Sequence, residues 1–287
     1  MANPARDGLL LVDKPAGMTS HDVVDRARRA LRTKRIGHAG TLDPFATGLL
    51  VLLVGRATRL LPYVDGEPKV YEATIRFGSE TNTDDLTGEV TRTAPAPSND
   101  AVSSALGALT GEIDQLPPAF SAKQVGGKRA YVAARRGETL ELAPVRVRVH
   151  SWKLRGREGD DLYVTITCGG GTYVRALARD LGRATQSAAH LATLRRIASG
   201  RFTVDEAVST DAISEIALRP AIDALPAVTR VSLDDAARAR IGHGMTIARD
   251  SADRGEHAAL LDAAGELVAI ATGAGEAWQP RVVLVDG

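Results

Sequence analysis

From Lys69 to Phe77 the chain alternates, with Tyr71, Ala73, Ile75 and Phe77 apolar and Glu72, Thr74 and Arg76 polar between them. Successive side chains of a strand point to opposite faces, so this period of two predicts a strand with one face buried and Tyr71 directed inward. Val145, Val147 and Val149 repeat the pattern against Arg146, Arg148 and His150. Leu162 to Cys168 supplies a second strong strand, and the two predict a hairpin. Gly8 to Val12 reads as a buried strand. Leu49 to Val54 fits a strand or a buried helix, because an unbroken apolar run carries no period.

Helical spacing appears elsewhere. Val23, Val24, Ala27 and Leu31 recur after a Thr19 or Ser20 cap, and Val102, Leu106 and Leu109 mark a second helix over Asp100 to Leu109. A short helix is expected from Arg56 to Val64, ended near Pro62, and another from Asp205 through Ile216. Gly126-Gly127 signals a hairpin, followed by a short helix from Ala130 to Arg136. Gly169-Gly170-Gly171-Thr172-Tyr173-Val174-Arg175 opens a helix running to about Arg183. A strand, glycines and a helix in that order suggest a nucleotide-binding turn, but Val174 stands where the dinucleotide fingerprint needs glycine, and Lys128 lacks the surroundings of a P-loop lysine.

The chain has 287 residues, enough for a large domain and a small one. We place the first over 1–225 and the second over 226–287, with 220–226 as linker. The second begins with a helix over Asp234 to Ile241, and its alternating strands at 245–248, 257–261, 266–271 and 281–285 indicate a compact β module. A net charge of +1 hides two basic clusters: Arg26, Arg28, Arg29, Arg32, Lys34 and Arg35, then Lys123, Lys128, Arg129, Arg135 and Arg136. Such runs are usually solvated faces, but their position beside the glycine-rich stretch over 37–48 favours an electrostatic footprint for nucleic acid, with binding that weakens with salt. The single cysteine, Cys168, excludes an internal disulfide, and the histidines show no ligand spacing, so no metal site is expected. No targeting segment or apolar stretch of membrane-spanning length is apparent, and a cytoplasmic protein is expected.

Between the basic clusters lies Gly37-His38-Ala39-Gly40-Thr41-Leu42-Asp43-Pro44-Phe45-Ala46-Thr47-Gly48. Its glycines permit close approach to the backbone, and Pro44 biases Asp43 toward extended chain, so the carboxylate has a fixed aim. The stretch resembles the G-H-x-G-x-L-D-P-x-A-x-G segment of the TruB-type tRNA pseudouridine-55 synthases. Four further segments match in family order: Lys14-Pro15-x-Gly17, the Thr81, Thr83, Asp85 and Gly88 loop, Gly171-Thr172-Tyr173-Val174-Arg175, and Leu194-Arg195-Arg196. The match covers roughly Gly8 to Thr203.

The resemblance implies an α+β fold, with a mixed, mostly antiparallel central sheet flanked by helices and loops, and a small C-terminal β-rich PUA-like domain. It implies an enzyme that breaks the C1′–N1 bond of a uridine, turns the base and rejoins it through C5, without cofactor or metal. Asp43 would be the essential carboxylate, with three routes open to it: attack on C1′, attack on C6, or abstraction of a 2′ proton. Arg175 would pair with Asp43, and Tyr71 would lie on the uracil and serve the C5 proton transfer. Leu194 would wall the pocket, and His38 would fill the space left by the flipped base. Asp85 and Tyr173 would also contact substrate. Lys14, Pro15 and Gly17 would support the loop, while Lys128, Arg129 and Arg35 would meet RNA backbone. The implied partner is the T-arm stem-loop of tRNA, bound by a monomer and away from any membrane. Rival readings are an RNA-folding or binding protein, a guide-RNA-dependent synthase subunit, and a hydrolase with Asp43 as nucleophile.

Overall fold

The computed structural model describes residues 7–120, 124–125, 128–129, 142–250 and 255–285. In chain order the strands begin with β1 (Gly8–Lys14), β2 (Ile36–His38), β3 (Thr47–Val54), β4 (Lys69–Phe77), β5 (Ser79–Thr81) and β6 (Val90–Thr93). There follow β7 (Gly111–Gln115), β8 (Gln124–Val125), β9 (Lys128–Arg129), β10 (Val145–Glu158), β11 (Asp161–Cys168), β12 (Ala189–Ser199) and β13 (Phe202–Thr203). The last are β14 (Val208–Ser209), β15 (Thr229–Ser232), β16 (Ile247–Ala248), β17 (His257–Leu261), β18 (Leu267–Ala274) and β19 (Ala277–Val283). The helices are α1 (Ser20–Ala30), α2 (Asn99–Leu106), α3 (Val174–Ala184) and α4 (Asp235–Gly242). The chain divides into two compact units, one of Met1–Asp43, Leu50–Asp65 and Glu206–Gly287, the other of Pro44–Leu49 and Gly66–Asp205.

In the first unit β1 lies between β14 and β3, and β2 runs antiparallel to β3. Leu50, Leu52 and Val54 join Leu10, Val12, Val23, Val24, Ala27 and Ile213 in one core, so alternate residues of β3 meet α1. The intervening Leu49, Val51 and Leu53 are buried too. A strand covered on both faces reads as an unbroken apolar run, and this resolves the segment as strand. Each such side chain contributes about 1.5–3 kcal/mol on burial.

Thr19 caps α1 in a capping box with Asp22. The first basic cluster is less free than its run of arginines implies. Arg26 bonds Thr210 O and pairs with Asp211, and Arg28 pairs with Asp25 and bonds Ile36 O, leaving Arg29, Arg32, Lys34 and Arg35 exposed.

Three segments depart from their sequence reading. Gly55–Tyr63 is a 3-10 run that continues through Pro62. The expected helix from Asp205 is instead a chain of short 3-10 turns broken by β14, whose backbone pairs in parallel with Val12 and Asp13 of β1. An open edge of a buried strand demands hydrogen-bond partners, and that demand overrides weak helical spacing. The supposed linker over 220–226 is packed chain: Ala221, Ala224 and Leu225 are buried, and Ala224 O accepts from Asp65 N at 3.3 Å.

Residues after Pro226 form a five-stranded sheet in the order β15-β17-β18-β19-β16, with α4 against it and Leu233, Ile241, Leu260, Val268 and Trp278 in its core. Its strands match the expected β module, apart from β15, which carries too short an alternation to announce itself, and β19, which sits a few residues earlier than read.

The second unit is built on β12-β4-β11-β10-β7, antiparallel throughout. The start of β3 adds in parallel to β12, Thr47 opposite Arg195 and Gly48 opposite Arg196, which makes the sheet mixed but mostly antiparallel. Tyr71, Ala73, Ile75 and Phe77 are buried on one face as the alternation predicts, and β10 and β11 form the expected hairpin. Helix α3 packs on β12, so closely that a Cβ on Gly182 would stand 2.5 Å from Ala189 N, and α2 is capped by Ser98. Gln124 pairs with Arg129 and Val125 with Lys128, the hairpin that Gly126-Gly127 signalled. The helix expected over Ala130 to Arg136, with Lys123, Arg135 and Arg136, lies outside the described residues. No described helix is long and apolar enough to cross a membrane.

Candidate active site

The segment carrying Asp43 is held from behind by a relay within the first unit. Lys14 is fully buried, and its ammonium donates to Pro15 O at 2.9 Å and Met18 O at 2.7 Å. Those bonds close the turn at Pro15 and Gly17, where a φ of +84° favours glycine. The turn delivers Thr19 to its cap and the buried Ser20 to Leu42: Ser20 Oγ donates to Leu42 O at 3.1 Å and accepts from Leu42 N at 2.9 Å. Leu42 is itself buried, whereas Asp43 beside it is partly open. The Lys14-Pro15-x-Gly17 turn is therefore a structural support, two bonded steps from Asp43. Ser20→Ala would strip both bonds from buried backbone, at about 1–3 kcal/mol. Thermal unfolding should fall by roughly 2–10 °C; a melting temperature equal to wild type would show that the clamp is redundant.

His38 pairs through its backbone with Leu52 at the end of β2, half-buried, and Ala39 N continues the ladder to Val51 O at 2.9 Å. Arg35 is exposed, its carbonyl fixed by Gly55 N at 2.7 Å.

In the second unit Tyr71 sits mid-β4, opposite Ile166 of β11 and Arg196 of β12. Leu194 is opposite Ala73, so Tyr71 and Leu194 share the buried face of the sheet, one pair apart. Next to them β3 and β12 approach so closely that a Cβ on Gly48 would stand 2.3 Å from Arg196 O. Arg196 is fully buried and its Nε donates to Leu49 O at 2.8 Å, tying the chain that follows Asp43 in sequence to β12.

Arg175 opens α3. Tyr173 precedes it, half-buried, and its backbone is gripped by the buried Gln115, which accepts from Tyr173 N at 2.9 Å and donates to Tyr173 O at 3.1 Å. The guanidinium of Arg175 is almost wholly buried. Nη1 donates to Thr83 O at 2.9 Å and lies 3.5 Å from Asp85 Oδ2, and Nη2 donates to Phe120 O at 3.0 Å. Asp85, assigned to substrate from sequence, is placed here as a partner of Arg175. Its other oxygen takes Thr83 Oγ1 at 2.8 Å, Thr87 N at 2.9 Å and Thr87 Oγ1 at 2.6 Å.

One and two turns further along α3, Arg179 and Arg183 continue the same side of the helix. Arg179 Nη1 meets Asp84 Oδ2 at 2.8 Å, and Arg183 pairs with Glu80. Burial pushes the Asp84 carboxyl up to about 6, against the pull of Arg179 and Arg175. Burial acts on Glu80 in the same sense, but Arg183 and Arg92 outweigh it and hold that carboxyl below its ordinary range. Sequence reading missed Glu80, Asp84, Gln115, Arg179 and Arg183. The spacing of four between the arginines was the available signal. Among the described residues no group of three or more His, Cys, Asp or Glu side chains is placed to share a metal ion.

Comparison with known proteins follows the same lines. Residues 28–174 match the family model for the N-terminal domain of TruB family pseudouridylate synthases, and residues 175–226 match the C-terminal domain model of tRNA pseudouridylate synthase B. A tRNA pseudouridine synthase B from Thermobifida fusca is 45% identical over 96% of this chain and 98% of its own length. One from Mycobacterium sp. strain KMS is 50% identical over 72% of each. Among solved structures, a Cbf5-Nop10-Gar1 complex includes a chain similar in fold, with a TM-score of 0.71 at 24% identity, covering 97% of this chain and 85% of that one.

Proposed function

Since this chain belongs to the TruB family of pseudouridylate synthases, we propose that it isomerises uridine 55 in the T loop of tRNA to pseudouridine, with Asp43 as the reacting carboxylate. The observation that carries this is the bonding behind Asp43: a buried lysine, a helix cap and Ser20 fix Leu42 and leave the adjacent carboxylate partly open. A side chain so held reaches a flipped nucleoside at little cost in orientation.

In the reaction the C1′–N1 bond breaks, the uracil turns, C1′ joins C5, and the C5 proton leaves as N1 gains one. Nothing is oxidised and no group is donated, so the chain's own residues suffice. Asp43 engages the nucleoside where the glycosidic bond breaks. Arg175 balances its charge, because a carboxylate in a dry pocket otherwise takes up a proton. Tyr71 lies on the base and serves the C5 proton, Leu194 walls the pocket, and His38 fills the space left in the RNA. Arg35, Lys128 and Arg129 contact phosphates of a T arm bound by one copy of the chain. Residues 1–225 carry the chemistry, and 226–287 add RNA-binding surface. Full-length relatives named as tRNA enzymes favour a stand-alone synthase over a guide-dependent subunit.

A T-arm stem-loop tritiated at uridine C5 tests the proposal. The chain should release one tritium per RNA, equally with and without chelator, and give a product of unchanged mass apart from the label. A cytidine at the target position should abolish release. Intact label after prolonged incubation, or release that a chelator stops, would overturn it.

A further inference from the structure

Arg175 does not hold its geometry alone. Two of its three described contacts are backbone carbonyls, Thr83 O and Phe120 O, and the third, Asp85, follows Thr83 by two residues. Between them stands Asp84, a non-glycine residue with a φ of 61°, a conformation that persists only where the surroundings impose it. Arg179 imposes it. One turn below Arg175 and equally buried, it reaches Asp84 Oδ2 at 2.8 Å and Leu116 O at 2.8 Å, and its Nε bonds Asp180 Oδ1 at 2.9 Å. Leu116 is separated from Phe120 by Pro117, Pro118 and Ala119, and the two prolines stiffen the chain between them. The two segments that supply these struts, Thr83–Asp85 and the stretch from Leu116 to Phe120, are thus each bonded to Arg179 one turn further along the helix.

We propose that Arg179, through its pair with Asp84 and its bond to Leu116 O, is a positioning residue that aims Arg175 for the isomerisation. This rests on the role given to Arg175 in that reaction. Arg179 touches no substrate. Its loss leaves the RNA-binding surface intact but lets the Thr83–Asp85 turn and the Leu116–Phe120 segment drift, and a misplacement near 1 Å at a catalytic group costs about 100-fold in rate.

The groups facing Asp84 are Arg179, Arg175, Arg183 and Glu80. The arginines stay charged at all relevant pH, and Glu80 is held ionised by Arg183 and Arg92. Asp84 is therefore the member of the cluster that takes up a proton near pH 6. Its folded pKa lies above the ordinary value, so protonation favours the fold while removing the counter-charge of Arg179. Stability and turnover should move in opposite directions as pH falls through 6.

The test compares single-turnover tritium release, affinity for the same stem-loop and melting temperature in wild type, Arg179→Lys, Arg179→Met and Asp84→Asn. Release is measured well below each melting temperature and scaled to folded protein. We expect Arg179→Met to lose rate by on the order of 10- to 100-fold and Arg179→Lys by less, with affinity changed under about 3-fold. Asp84→Asn, isosteric and able to fold where the Arg179 variants cannot, should be slower than wild type at pH 7.5, by a ratio that shrinks toward one by pH 5. Variants that turn over at the wild-type rate per folded molecule, with only a lower melting temperature, would overturn the positioning role and leave the isomerase intact. A rate loss matched by an equal loss of affinity would overturn it too. A wild-type chain that releases no tritium would overturn both.

Discussion

Asp43→Asn should abolish isomerisation, by on the order of 10⁴-fold or more, as removal of a group that acts directly on the reacting atoms does. Asparagine has the shape of aspartate but neither the charge nor the nucleophilicity, so each route open to the carboxylate fails. The loop should survive the exchange, because it keeps the bonds of Leu42 to Ser20 through the backbone and the turn ahead of α1 closed by Lys14. Affinity for a T-arm stem-loop should stay within about 3-fold, since most of it comes from phosphate contacts and loop shape. The pairing of these two readouts separates the rival functions. An RNA-folding protein would keep its activity in Asp43→Asn, and a hydrolase would leave an abasic RNA and free base in wild type. Tritium release persisting in the variant, measured against a wild-type control, would remove Asp43 from the chemistry.

Much of the fold was legible in the chain. The alternation over Lys69 to Phe77 gave β4 its buried face, and the doubly buried β3 announced itself as an apolar run, though only its packing decided between strand and helix. Lys14 was recognisable by motif, but its full burial was not: a lysine reads as a surface residue until two carbonyls are found on its ammonium. Other features left weak local traces. β12 carries Leu194 and Arg196 yet breaks its alternation at bulges between Leu191 and Thr193 and between Arg196 and Ala198, so no clean period of two survives. β14 is two residues long and exists because β1 needs a partner. The basic run from Arg26 to Arg35 looked uniformly exposed, while Asp211, far off in sequence, holds one of its members.

The acids that meet α3 show the same limit from the other side. Spacing places Arg175, Arg179 and Arg183 on one side of the helix, but nothing local says that Asp85, Asp84 and Glu80 will face them in that order. That register is a property of the fold. It also bears on Asp85, which the family resemblance implied as a substrate contact. In the structure one of its oxygens is taken up by Thr83 and Thr87 and the other faces Arg175.

Arg175→Lys should be the most damaging conservative change in the second unit, lowering turnover by on the order of 100-fold or more while the chain still folds. Charge is kept, so simple electrostatics predicts little effect. Geometry predicts otherwise. The planar guanidinium sends one nitrogen to Thr83 O at 2.9 Å and the other to Phe120 O at 3.0 Å, with Asp85 Oδ2 at 3.5 Å from the first. An ammonium on a shorter, round head cannot span both carbonyls and still face Asp85. One buried acceptor then loses its donor, at about 1–3 kcal/mol, and the charge settles toward whichever partner it can reach. On the role proposed for Arg175, a charge displaced from its place would no longer balance Asp43 when the nucleoside arrives. The loss should therefore appear in the single-turnover rate rather than in stem-loop affinity. A lysine variant with near-wild-type turnover would mean that Arg175 serves the fold alone.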